Sequence, residues 1–298
     1  MSRIVNIGLV QMSCADDLQS NFDKAVAGIR EAAGKGAQIV CLQELFKSRY
    51  FCQVVHEKYL SLAEPVNSDS PTVRQLGALA AELEIVIIAS LFEKRAKSLF
   101  HNTAVILDAD GGYLGKYRKM HIPEDPLYYE KFYFTPGDLG YRSFSTRYAE
   151  IGVLICWDQW FPEAARLTAM LGAEIIFIPT AIGFTPEGVS SSGPEYPKSW
   201  QIVQRGHAIA NACFLAAVNR VGFEETAEGE GGIDFWGQSF ISDPNGTVLA
   251  QAASDRAEVL VHPIDLDRVD AIRDGYCFPF RDRRVDSYTG ITELYLGN

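Results

Sequence analysis

The 298-residue chain is short of basic residues, of histidine and of closely spaced cysteines. Lys and Arg number 27 against 38 Asp and Glu, a formal charge of −11. No basic stripe is available to neutralise phosphates, which argues against broad nucleic-acid binding. No run approaches the roughly 18 apolar residues that a bilayer demands. The N-terminal MSRIVNIGLVQMS alternates like a strand and precedes no small-residue cleavage site. Neither a membrane partner nor a secretory leader is expected, and the cytoplasm is the expected compartment. The six cysteines, Cys14, Cys41, Cys52, Cys156, Cys213 and Cys277, are scattered without a C-x-x-C. That spacing suggests neither a zinc site nor a disulfide framework, and reduced thiols fit a cytoplasm. Only five histidines are present, and nothing in their placement favours a cysteine–histidine pair.

What the chain does have is alternation. Residues 3–12 (RIVNIGLVQM) read as a strand, and residues 20–34 set Phe22, Ala25, Val26, Ile29 and Ala32 at helical spacing. GAQIVCLQEL at 36–45 reads as a buried strand and 71–84 as a helix opened by Pro71. IVIIAS at 85–90 reads as a strand, and 102–119 as a hairpin turning at Asp110-Gly111-Gly112. The second half repeats the order. EIGVLIC, FPEAARLTAMLG and AEIIFIPT read as strand, helix, strand. A helix over 197–212, the strand CFLAAVNRVG, two strands flanking Asp243-Pro244-Asn245-Gly246, the strand EVLVHPIDL and a last helix from DLDRVDAIR follow. Hydrophobic residues at 47% supply a sizeable core. Two halves alike in order predict an α/β fold with two sheets face to face and helices outside. This is a four-layer α-β-β-α sandwich, one domain over 1–298. The polar tail, about 275–298, is expected to extend over the surface or a partner subunit. The Gly/Pro/Ser-rich segment 183–197 has the length of a working loop.

Cys156 ends a strand and precedes a helix that Pro162 can start. Backbone N–H groups at such a junction lower a thiol pKa and stabilise a nearby anion. A buried, inert cysteine is the plain alternative. Glu44 closes the apolar strand of IVCLQELF. Buried there, its raised pKa would suit a general base; solvated, it would be ordinary. Lys119, at the end of KYRK, is either a solvated strand end or a cation for an oxyanion. Glu130, in YYEKFYF, is an acid among aromatics.

Together these residues carry a resemblance. The chain resembles the nitrilase (carbon–nitrogen hydrolase) superfamily from its first strand to FRDRR near 280, through three motifs in order: QELF, KYRKMHIP and CWDQWFPEAAR. The resemblance implies an α-β-β-α sandwich, no metal or other cofactor, and a Glu-Lys-Cys triad. Cys156 is then the nucleophile, Glu44 the base and Lys119 the oxyanion stabiliser. Glu130 matches a further acid that orients the lysine. The family often forms two-fold dimers or larger homo-oligomers, and outer-helix and tail residues such as Phe161, Leu167, Met170 and Tyr276 would supply the contact.

Longer stretches, among them LQELFKSRYFCQ, YYEKFYFTPGD, IPTAIGFTPE and GHAIANACFLAAVNRVG, are similar to the branch that acts on N-carbamoylputrescine. That small-molecule substrate has a ureido group at one end and an ammonium at the other. Trp157-Asp158-Gln159 after the cysteine contains no base to grip a carboxylate. Asp158 is read as an ammonium acceptor or as a helix N-cap. Glu187 is the favoured acceptor, with Glu195 as another loop acid. Tyr129, Trp157 and Phe184 are expected to line the methylene channel, with the backbone N–H of Trp157 helping to hold the oxyanion. Other readings are a nitrilase or amidase of different substrate, an inactive scaffold, and an ammonia-supplying glutamine amidotransferase module.

Overall fold

Strand β1 (Ile4–Gln11) leads to helix α1 (Leu18–Gly34), whose entry Asp17 caps by accepting from the Ser20 N–H at 2.7 Å. Strand β2 (Ile39–Leu42), helix α2 (Pro71–Leu83), strand β3 (Val86–Ala96) and the hairpin of β4 (Leu99–Leu107) and β5 (Tyr113–Arg118) complete the first half. Pro71 opens α2, where its missing N–H costs nothing. After a short helix α3 (Glu130–Tyr133) the order recurs. Strands β6 (Ser143–Ser145) and β7 (Glu150–Val153), helix α4 (Pro162–Met170), strands β8 (Ile175–Pro179) and β9 (Gly183–Phe184), and helix α5 (Tyr196–Asn211) come first. Strands β10 (Phe214–Val218), β11 (Val221–Glu225), β12 (Gly232–Trp236), β13 (Phe240–Ser242), β14 (Val248–Gln251) and β15 (Glu258–Asp265), then helix α6 (Asp267–Asp274), follow. These bounds come from a computed structural model that describes residues 2–186, 193–227, 229, 231–275 and 279–297.

The first sheet runs β15-β1-β2-β3-β4-β5 and the second β14-β13-β10-β8-β7-β6. Each has three parallel strands at its centre, β1-β2-β3 in one and β7-β8-β10 in the other. Each adds two antiparallel strands on one side and one on the other. The repeated order read from the sequence is therefore a repeated topology.

Within the parallel strands, alternate residues serve different cores. Ile7, Leu9, Ile39, Cys41, Val86 and Ile88 pack toward the second sheet. Val10, Val40, Leu42, Ile87 and Ala89 pack under α1 and α2. Burial on both faces explains why these segments read as unbroken apolar runs. The family-type four-layer sandwich is what results.

One element was not legible. CFLAAVNRVG reads as one strand, but β10 stops at Val218. Asn219-Arg220 turns the chain into β11, which joins β12 and β9 in a separate three-stranded sheet. The tail is exposed at Ile291, Leu294, Tyr295 and Leu296, while Tyr276 and Cys277 lie outside the described residues.

Candidate active site

Glu44 lies just beyond the C-terminal end of β2 and Cys156 just beyond that of β7, where open parallel sheets usually place their chemistry. Lys119 continues β5, its N–H still paired with Asn102 O at 2.9 Å. Gly137 packs against this turn and donates to Lys119 O at 2.7 Å. A Cβ at position 137 would sit 2.1 Å from Arg118 O, so only glycine fits there. Glu130 opens α3.

These side chains converge. Lys119 Nζ donates to Glu44 Oε1 at 2.9 Å and to Glu130 Oε2 at 2.6 Å. Glu44, Lys119 and Glu130 have no solvent exposure and Cys156 is buried. Asn102 Nδ2 also donates to Glu44 Oε1, at 2.7 Å, and the Tyr50 hydroxyl donates to Glu130 Oε1 at 2.6 Å. Glu44 Oε2 is buried and has no hydrogen-bond partner among the described residues. Cys156 has a φ of +44°, a left-handed conformation that strains any residue with a Cβ. It begins a 3₁₀ turn, Cys156–Trp160, which separates it from helix α4; α4 starts at Pro162, as the sequence implies. The Sγ has a weak contact with Ala181 O at 3.9 Å.

Burial and neighbouring charge set the protonation states. Burial opposes charge on Lys119, but Glu130 and then Glu44 outweigh it, and its pKa stands well above the ordinary lysine value. Burial pushes Glu130 up to about 7, against the pull of the Lys119 ammonium and with a further push from Glu44. Burial raises the Cys156 thiol well above its ordinary value; Glu44 adds to the rise and Lys119 opposes it. The resting sulfur is thus a thiol, and any attack by it needs a base at that moment.

An aromatic wall adjoins the sulfur. Trp157, half-buried, meets Trp160 edge-on at 6.4 Å between ring centroids, and Trp160 stacks on Tyr196 at 5.3 Å. Trp236 meets Tyr196 at 6.0 Å and packs on Phe184 at 5.2 Å. The Tyr128 hydroxyl accepts from Gly183 N at 3.0 Å. Tyr129 is half-buried, and its N–H donates to Cys52 O at 2.9 Å.

Asp158 is placed differently from the ammonium acceptor that the sequence allowed. It has no solvent exposure, and its carboxylate is taken up within the protein. Oδ1 accepts from His121 N at 3.0 Å and lies 2.7 Å from His121 Nδ1. Oδ2 accepts from the Tyr117 hydroxyl at 2.7 Å and from Ile155 N at 2.9 Å. Nor is it an N-cap: it is the third residue of the 3₁₀ turn and reaches back to the N–H of Ile155, the residue that caps that turn, so Asp158 ties the backbone before Cys156 to the segment after Lys119. Glu195 stands exposed at the start of α5, 3.7 Å from Lys198. Glu187 lies outside the described residues.

The carbon-nitrogen hydrolase family model matches residues 6–274. The chain belongs to the carbon-nitrogen hydrolase family. An N-carbamoylputrescine amidase of Oryza sativa subsp. japonica is 48% identical over 292 residues, 97% of this chain and 95% of its own length. A citrullinase of Francisella tularensis is 40% identical over 98% of this chain and 99% of its own. The crystal structure of a carbon-nitrogen hydrolase from Helicobacter pylori G27 has a TM-score of 0.92 at 43% identity, covering 98% of this chain and 100% of that one.

Several residues of this carbon-nitrogen hydrolase site escaped sequence reading. Asn102 and Arg220 had a signal, since each is a polar residue inside an apolar run (HNTAVIL and AAVNRVG). A buried polar group is more informative than a buried apolar one. Tyr50, Tyr196 and Trp236 had none, because an aromatic residue at the end of an element or beside one is equally at home in a core.

Proposed function

We propose that the chain hydrolyses N-carbamoylputrescine to putrescine, ammonia and carbon dioxide through a carbamoyl thioester on Cys156. The observation that carries the chemistry is the buried Lys119 ammonium shared by Glu44 and Glu130 beside the buried Cys156. Glu44 Oε2, unpartnered, is the oxygen that takes the thiol proton as sulfur attacks the ureido carbon. Lys119 and the Trp157 N–H hold the oxyanion that develops. The putrescine nitrogen then leaves with a proton from Glu44, water activated by the same carboxylate cleaves the thioester and returns the thiol, and the carbamic acid released breaks down to ammonia and carbon dioxide. Glu130 keeps Lys119 charged and aimed. The oxyanion is met by a cation already desolvated and fixed, so little reorganisation is needed.

The full-length similarity to the rice amidase supports the substrate. Similarity to the citrullinase raises a second reading, and the two substrates differ by one group: N-carbamoylputrescine is citrulline without its carboxylate. The first base after the cysteine, Arg166, spends its guanidinium on Ala210 O at 2.8 Å and Pro279 O at 3.2 Å. That favours the substrate lacking a carboxylate. Tyr129, Trp157 and Phe184 line the methylene channel in this reading, and Glu187 or Glu195 accepts the far ammonium. The deciding experiment is ammonia release from a panel of ureido compounds, with Cys156→Ala as the inactive control. Activity retained by Cys156→Ala would overturn the mechanism.

The same reading makes residues 1–298 one catalytic unit that pairs as a homodimer through α4, α5 and the tail. Leu167, Met170, Ile202 and Ile209 are exposed on the two helices and Leu171 at the end of α4, which supports such a contact. The five described cysteines are free thiols, in keeping with a cytoplasmic setting. Among the described residues, no helix is long and apolar enough to cross a membrane.

A further inference from the structure

Asn219 and Arg220, where β10 ends, have no solvent exposure. Arg220 spreads its guanidinium over two backbone segments and one carboxylate. One nitrogen donates to Ser48 O at 2.9 Å and Glu224 Oε1 at 2.7 Å; the other donates to Glu44 O and Leu45 O, each at 3.0 Å. Leu45 has a φ of +49°, a conformation that leucine disfavours. That turn presents the Glu44 and Leu45 carbonyls together to one guanidinium edge. Glu224, also buried, accepts from Tyr50 N at 2.6 Å with its second oxygen. The Tyr50 hydroxyl reaches Glu130, and Glu130 reaches Lys119, which returns to Glu44. The contacts close a ring: Arg220, Glu224, Tyr50, Glu130, Lys119, Glu44 and back to Arg220.

Asn219 serves the opposite wall. Its Oδ1 accepts from Ile182 N at 3.0 Å, and its Nδ2 donates to Ile182 O at 2.9 Å and Gly237 O at 3.0 Å. Ile182 lies between Ala181, whose carbonyl faces the Cys156 sulfur, and Gly183, which holds the Tyr128 hydroxyl. One dipeptide thus fixes the backbone of the Glu44 segment on one side and the backbone against the nucleophile on the other.

We propose that Asn219-Arg220 is the positioning element that sets Glu44 against Cys156, with Arg220 acting through the Glu44 and Leu45 carbonyls and through the Glu224–Tyr50 link to Glu130. The proposal rests on the cysteine mechanism above. Arginine suits the task because its planar fork spans several acceptors in fixed geometry, whereas lysine supplies charge without that reach. Neither residue touches the reacting atoms.

The test is Arg220→Lys, which retains a cation opposite Glu224 and loses the fork. Two readouts are taken: ammonia release from N-carbamoylputrescine, and the rate of Cys156 alkylation by iodoacetamide followed by mass. A misplacement of Glu44 by about 1 Å predicts kcat lower by roughly 100-fold with KM changed less than about threefold. Alkylation is expected to slow by at least about tenfold, because the thiol needs its base. Leu76→Ala, on the buried face of α2, is the control for general loss of stability and retains both rates. A folded Arg220→Lys enzyme with both rates within threefold of the parent overturns the proposal, as does a loss confined to KM. If Arg220→Lys does not fold, Tyr50→Phe interrupts the same ring by one hydroxyl. It should lower kcat and leave KM, and unchanged kcat there is equally fatal. Alkylation needs no substrate, so a parent enzyme inactive on the ureido panel but with ring-dependent alkylation would fail the substrate reading alone.

Discussion

Tyr50 donates its hydroxyl to Glu130 Oε1 at 2.6 Å, the oxygen that Lys119 does not hold. Burial sets Glu130 at about 7, and this bond is among the contacts that pull it down by favouring the charged form. A carboxyl that loses such a donor binds its proton more tightly. If ionised Glu130 is needed to hold Lys119, kcat/KM falls as pH drops through about 7. In Tyr50→Phe that acidic limb moves to higher pH, and activity is best recovered on the alkaline side. A profile of kcat/KM over roughly pH 5 to 9 reads the shift. A folded variant with an unmoved limb would assign the limb to another group.

Among the described residues, Lys119 is the cation that pairs with both Glu44 and Glu130. Lys119→Met therefore loses activity by several orders of magnitude and also loses stability, on the order of 3–5 kcal/mol for a broken buried pair. The sign with pH follows. Glu130, pushed up to about 7 by burial, loses the opposing pull of Lys119 and retains its proton in the folded state at pH values where the unfolded chain has released it. Its contribution is thus favourable at low pH and lost as pH rises. The Tm deficit of Lys119→Met against the parent should be larger near pH 8 than near pH 5; an equal deficit at both would show that the lost charge pairing is not its cause.

Asp158 accepts from Ile155 N and His121 N, on the strands of chain that carry Cys156 and Lys119. Asp158→Asn leaves one acceptor and removes the charge, so it should lower kcat by displacing the elbow. The ratio of KM values for N-carbamoylputrescine and the neutral N-butylurea should stay unchanged. A rise in KM confined to the cationic substrate would return Asp158 to the role of ammonium acceptor.

The sandwich was readable because its parallel strands are buried on both faces and its helices are amphipathic, so period and length separated them. The third sheet was not, because Val218 and Val221 continue one apolar pattern and only the intervening Asn219-Arg220 breaks it. The cluster residues were readable as types: an acid after IVCLQ, a lysine after KYR, a cysteine after EIGVLI. Their partners were not. Asn102 and Tyr50 act across the fold, at separations of 58 and 80 residues from Glu44 and Glu130, and no local pattern records such a contact. Asp158 shows the limit in the other direction. Its position beside the nucleophile suited a ligand, and burial against Tyr117 and His121 decided otherwise.

Exposed Leu167 and Met170 on α4 and Ile202 and Ile209 on α5 predict association. Light scattering should give about twice the 33.0 kDa of the chain, or a multiple of that, at micromolar concentration. Met170→Asp should weaken the assembly, since a charge would be buried without a partner. A parent protein that runs at 33.0 kDa would refute the dimer.

The sharpest substrate test compares citrulline, N-carbamoyl-β-alanine and N-carbamoylputrescine. All three offer the same ureido carbon to Cys156, so differences report the far end of the pocket. The aromatic wall of Trp157, Trp160, Tyr196, Trp236 and Phe184 can cover methylenes and carries no cation to pair with a carboxylate. Arg166 is committed to the carbonyls of Ala210 and Pro279, and releasing it would leave both acceptors to find new donors. A substrate carboxylate would meet from this wall neutral indole and phenol donors, a weaker replacement for its water than a cation. N-carbamoylputrescine should exceed both anionic-ended compounds in kcat/KM by at least about a hundredfold, or ~2.7 kcal/mol in transition-state binding. Citrulline is the stricter comparison, because it retains the ammonium and adds only the carboxylate. Equal rates on citrulline and N-carbamoylputrescine would mean that the pocket is indifferent to that group, and would move the enzyme toward the citrullinase reading with its cysteine chemistry intact.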